Sequence, residues 1–88
     1  MKYTLTFSSS FEKHYKLFEE KQRKQIKKKL NLLIENPAHP SLRVKRIKGV
    51  SELWEMSVNM NIRIIWKYEG KTIILLLDVG HHDILKKY

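Results

Sequence analysis

The apolar residues of this chain change their spacing once, between Asn36-Pro37 and Arg43, and that change fixes the order in which helices and strands are laid down. Before it, Phe11, His14, Tyr15 and Phe18, and then Ile26, Leu30, Leu33 and Ile34, recur at intervals of three and four, with lysines on the opposite side. That is the buried stripe of an amphipathic helix. Ser8-Ser9-Ser10 supplies hydroxyls suited to capping a first helix. Two antiparallel helices are expected, meeting near Phe18 to Lys21. Asn36-Pro37 ends the second, because proline disfavours helical geometry in the residue before it, and Pro40 is expected to keep the next segment extended.

After the change the period is two. Strands are expected over Arg43 to Lys48, Glu52 to Val58, Ile62 to Tyr68 and Thr72 to Val79, with an opening strand over Tyr3 to Phe7. The connections Gly49-Val50-Ser51, Asn59-Met60-Asn61 and Glu69-Gly70-Lys71 are short, which favours antiparallel pairing. The expected fold is α+β: an N-terminal strand, a two-helix antiparallel hairpin, then antiparallel strands packed against the helices. With 88 residues the chain has core enough for a single domain over 1–88.

Alternation along the strands assigns faces. Trp54, Met56 and Val58 share one face with Ile62, Ile64, Trp66 and Tyr68, and these rows are expected under the helices. Glu55, Ser57 and Arg63 then fall on the other face. With the turn centred on Met60, Ser57 lies opposite Arg63 and Glu55 is its diagonal neighbour. The last strand is apolar on both faces, so it is expected inside the sheet or covered by another segment. The same reading directs Ile65, Ile74 and Leu76 away from the helices, onto a surface left for a partner, for a homodimer, or for Ile84 and Leu85 folding back.

Eighteen Lys and Arg against nine Asp and Glu give a net charge of +9, a field that attracts nucleic acid or an acidic protein, unless the lysines serve only solubility. The absence of cysteine excludes disulfide and thiolate chemistry. The apolar run Ile73 to Leu77 is far short of the ~20 residues of a membrane helix, and the N-terminus lacks an apolar signal segment. A cytoplasmic protein without membrane contact is expected.

Arg43, Lys45, Arg46 and Lys48 form the densest basic cluster outside the helices, and Lys45, Arg46 and Lys48 are candidates for binding RNA phosphates. Arg63, flanked by Ile62, Ile64 and Ile65, has little reason to lie mid-strand for packing. It either clamps a phosphate bidentately or pairs with Glu55 across the hairpin. His81, His82 and Asp83 follow Gly80 at a strand end, and histidine serves as general acid or base near neutral pH. They either act on a substrate or merely finish the strand. Adjacent histidines on an extended chain point opposite ways and no thiolates complete a ligand set, so no metal is expected. His14 is read as a core or boundary residue.

Arg46-Ile47-Lys48-Gly49, Glu52-Leu53-Trp54-Glu55, Ile62-Arg63-Ile64-Ile65-Trp66 and Val79-Gly80-His81-His82-Asp83, in this order behind a strand and two helices, resemble the RelE/ParE toxin superfamily of bacterial toxin–antitoxin systems over essentially the whole chain. The Gly-x-His-Asp ending is similar to the RelE-like and YafQ-like mRNA interferases more than to the gyrase-poisoning ParE branch. The resemblance implies a toxin that cleaves mRNA on the ribosome without metal or cofactor and is neutralised by a cognate acidic antitoxin. The alternatives are a non-catalytic gyrase inhibitor and a plain RNA-binding module.

Carried over by position, Arg63 is the phosphate-binding arginine and His82 the general acid to the 5′-oxygen, with His81 the alternative. Tyr88 falls at the position of a C-terminal aromatic that stacks on or orients a base. The general base stays open: Glu55 either fills that part or orients Arg63.

Overall fold

The computed structural model describes residues 2–47, 49 and 52–87, so Lys48 and Tyr88 lie outside the described residues. The chain runs β1 (Thr4–Phe7), α1 (Ser9–Tyr15), α2 (Glu20–Glu35), a 3-10 turn (Pro40–Leu42), β2 (Lys45–Arg46), β3 (Trp54–Ser57), β4 (Ile62–Glu69), β5 (Ile73–His81) and a C-terminal 3-10 helix (His82–Lys87). The expected α+β architecture is present.

Local chemistry sets the helix ends. The Ser8 hydroxyl accepts from Phe11 N–H at 3.0 Å, capping α1, and donates to Leu77 C=O at 2.7 Å, tying that cap to β5. The helices part at Lys16 to Glu19, where the Glu19 N–H donates to Gln22 Oε1 at 3.1 Å. Along α2, Ile26, Leu30 and Leu33 are buried at helical spacing.

The strands form one sheet in the order β1-β5-β4-β3-β2. Every pairing is antiparallel except β1 with β5, which is parallel, since the helices between them return the chain to the same end of the sheet. β5 is thus interior, as its apolar faces require. Phe11, Phe18, Ile26, Leu30 and Leu33 from the helices share one core with Met56, Ile62, Ile64, Trp66, Ile74, Leu76 and Val79 from the sheet. Trp54 stacks on Trp66 with ring centroids 5.7 Å apart.

Two expectations are corrected. Ile74 and Leu76 do not face away from the helices; both are fully buried in the helix-side core. The register is the cause. Ile65 pairs with Asp78 while Trp66 pairs with Leu76, so Leu77 is an extra residue, a β-bulge that switches which β5 side chains reach each face. Ile65 does lie on the second face, with its cross-strand partners Glu55 and Asp78, and is fully buried there. The C-terminal 3-10 helix lies against β4 and β5, and Ile84 is buried; the side chain of Leu85 lies outside the described part.

The segment after Pro40 is not extended either. Pro40 opens the 3-10 turn, Leu42 is fully buried, and Arg43 takes the left-handed conformation, φ 49° and ψ 47°. The expected strand over Arg43 to Lys48 is therefore cut to Lys45–Arg46. Anchoring Leu42 in the core outweighs the extended preference around proline.

Candidate functional site

The β3–β4 ladder holds the register expected of it. Ser57 pairs with Arg63, Met56 with Ile64 and Glu55 with Ile65, which makes Glu55 the diagonal neighbour of Arg63. The side chains go elsewhere. Arg63 Nη1 donates to the carbonyls of Asn59 (2.6 Å) and Ile62 (3.2 Å), which turns the guanidinium toward the hairpin tip. Glu55, 4% exposed, puts Oε1 at 3.1 Å from Lys45 Nζ of the edge strand, and its Oε2 is buried with no hydrogen-bond partner among the described residues. The Glu55–Arg63 ion pair that spacing allows is not formed among the described residues. Lys45 and Arg46 project to opposite faces: Lys45 to Glu55, Arg46 over the Trp54 ring at 5.6 Å, a cation–π contact.

Across the sheet, Arg63 pairs with Gly80 and Ile62 with His81. His81 therefore belongs to the helix-side face, where its exposed ring lies 5.6 Å from that of Phe18. Gly80 belongs to Arg63's face, and a Cβ on it would lie 2.9 Å from Ile84 Cδ1. Ile84 thus occupies the space a side chain at Gly80 would take. The helix His82–Lys87 follows β5 directly and is opened by exposed His82.

The sequence reading missed the partnership of His14. Its Nδ1 lies 2.5 Å from Asp78 Oδ1, with side chains 31% and 5% exposed, and the same oxygen accepts from Val79 N–H at 2.9 Å. His14 and His81 line one cleft between the helix junction and the end of β5, together with Glu19 and Asp83. The available signal was a lone acid, Asp78, ending an apolar strand, matched by a lone histidine on an apolar helical stripe; a buried carboxylate needs such a donor. Among the described residues no three His, Asp or Glu converge as metal ligands. None of their helices is long and apolar enough to cross a membrane.

Residues 1–85 match the family described as the ParE toxin of type II toxin–antitoxin systems, parDE. No curated protein sequence matches the chain. Among solved structures, the archaeal RelE–RelB complex from Pyrococcus horikoshii OT3 superposes with a TM-score of 0.77 at 14% identity, covering 96% of this chain and 99% of that one. YafQ from E. coli strain BL21(DE3) gives 0.76 at 19% identity, covering 94% and 97%. The YoeB/ParE toxin from Agrobacterium tumefaciens gives 0.79 at 13% identity, covering 90% and 98%. At these identities the likeness establishes the shared fold.

Proposed function

Because the chain belongs to the ParE toxin family of type II toxin–antitoxin systems, we propose that it is a toxin that arrests growth by cutting mRNA, as a metal-independent endoribonuclease acting on the ribosome in the cytoplasm. The observation that supports this reading is the pairing of Arg63 with Gly80 at the end of the β4–β5 ladder, which sets a fixed cation across from the segment that leads into the imidazole of His82.

The chemistry asked of them is limited. The RNA's own 2′-oxygen attacks the adjacent phosphorus and the bond to the 5′-oxygen breaks, leaving a 2′,3′-cyclic phosphate and a free 5′-hydroxyl. The protein must hold the phosphate and stabilise its extra charge, and two protons must move. Arg63 supplies the charge. His82, as imidazolium, gives its proton to the departing 5′-oxygen. Lys45 and Arg46, exposed on the edge strand, bind backbone. Glu55 is buried and engaged by Lys45, which suits it to holding that lysine, so the 2′-proton passes to solvent water as the 2′-oxygen attacks. Lys48 and Tyr88, one for backbone and one for a base, complete the proposed contacts.

The ParE name of the matching family fits a second reading equally: the non-catalytic inhibitor of DNA gyrase that the sequence resemblance offers as an alternative, in which the histidines are incidental. Mapping 5′ ends of translated mRNA after induction, alongside a gyrase supercoiling assay, separates the two. New ends with gyrase unaffected support cleavage; inhibited gyrase with intact mRNA overturns it. A cognate acidic antitoxin is the proposed partner. The +9 charge attracts it over long range, and solved relatives are complexes of RelE with RelB and of YafQ with DinJ.

A further inference from the structure

Three elements far apart in sequence each deliver a cation to one cleft at the tip of the β3–β4 hairpin: Lys29 from α2, Arg43 from just after the 3-10 turn, and Arg63 from β4. Among the described residues no carboxylate lines it. The remaining polar lining is Ser41, Ser57 and Asn59, all capable of donating hydrogen bonds. We propose that this cleft is a second phosphate subsite, in which Lys29 and Arg43 hold an RNA backbone phosphate next to the one bound by Arg63; the proposal rests on the RNA-cleavage reading above.

Four observations point to an anion there. Lys29 is half-buried where its neighbours Lys27 and Lys28 are exposed, so it is set apart from the solvated lysine face of α2. Arg43 occupies left-handed backbone, where a residue with a Cβ is strained and glycine would relieve the strain. Neither cation has a carboxylate partner among the described residues, whose ion pairs join Lys2 to Glu35, His14 to Asp78, Lys24 to Glu20 and Lys45 to Glu55. Arg63 bonds the protein only through Nη1, leaving Nη2 and Nε without a partner among those residues. Three converging cations repel one another unless an anion sits between them, and the arginine forks match phosphate oxygens. An acidic peptide would need apolar surface to bury as well, and Val58, one of the two apolar residues of the lining, is already buried by the fold.

The test is binding of a fluorescent single-stranded RNA made uncleavable by 2′-O-methylation, titrated against the full chain over a range of salt. Lys29→Ala and Arg43→Gly each remove one cation, and the glycine keeps the left-handed turn. Lys21→Ala removes an exposed α2 lysine outside the cleft and is the charge control. Lys29→Ala and Arg43→Gly are each expected to weaken binding and to flatten the slope of log K against log salt by about 0.7, the value per phosphate on single strands, with Lys21→Ala near wild type. Equal losses in all three variants overturn the subsite. So does binding unchanged by Lys29→Ala and Arg43→Gly while Arg63→Ala weakens it, an outcome that leaves the RNA reading standing. Wild-type protein that binds poly-glutamate through Lys29 and Arg43 but not RNA overturns both.

Discussion

His14 Nδ1 and Asp78 Oδ1 lie 2.5 Å apart, joining the first helix to the interior strand β5 across 64 positions of sequence. The carboxylate is almost wholly buried, so losing any one of its partners is costly. His14→Ala should lower unfolding free energy by about 1–3 kcal/mol, the cost of leaving a buried acceptor short of a donor. Asp78→Asn, which removes the charge but keeps an oxygen that accepts from Val79 N–H and faces His14, should cost less. Urea denaturation with an unchanged m-value reads both, and equal stability of His14→Ala and wild type would refute the assignment.

Gly80 and Ile84 define how the C-terminal helix is seated. Gly80→Ala places a Cβ 2.9 Å from Ile84 Cδ1 and 3.3 Å from its Cβ, so it should destabilise by about 1–3 kcal/mol and displace His82. The double variant Gly80→Ala with Ile84→Ala removes the clash, and the two losses should not add. Strict additivity in a double-mutant cycle argues that the residues do not meet.

For cleavage, Arg63→Ala and His82→Gln should each lower the rate by roughly 10² to 10⁴ while circular dichroism stays native. Arg63→Lys should rescue little, because a single ammonium does not reproduce the guanidinium fork. His81→Gln should act within a few-fold of wild type, since His81 serves the helix-side face. A cleaving His82→Gln protein together with an inactive His81→Gln protein would exchange the two assignments.

Burial, with Tyr3 as a lesser cause, raises the Tyr68 hydroxyl pKa above its ordinary 10.0. A raised folded-state pKa means the folded protein holds that proton more tightly than the unfolded chain does. The associated stability is complete below about pH 10 and is lost as pH rises through the folded pKa. Absorbance titration should show one late-ionising tyrosine, and Tyr3→Phe should bring it closer to the ordinary value. A Tyr68 that ionises at pH 10 or lower in the intact protein contradicts the effect.

How much of this was legible in the sequence follows the range of each interaction. Spacing alone placed both helices, all five strands, the two faces of β3 and β4, and Arg63 opposite Ser57, because helical and strand periods are properties of neighbouring residues. Family likeness in the ordered motifs is what proposes Arg63 and His82 as a site. Only the tertiary structure decided where side chains ended. The bulge at Leu77 moved Ile74 and Leu76 into the helix-side core, since the register of β5 is set by β4 and by the Ser8 contact rather than by its own alternation. Arg43 left the extended conformation because Leu42 had a core site to fill. Glu55 took Lys45, and Arg63 took the carbonyls of its own turn. His14 found Asp78 across the fold. A polar side chain's partner is chosen among groups that only folding brings within a hydrogen-bond length, and nothing in the local order of residues encodes that choice.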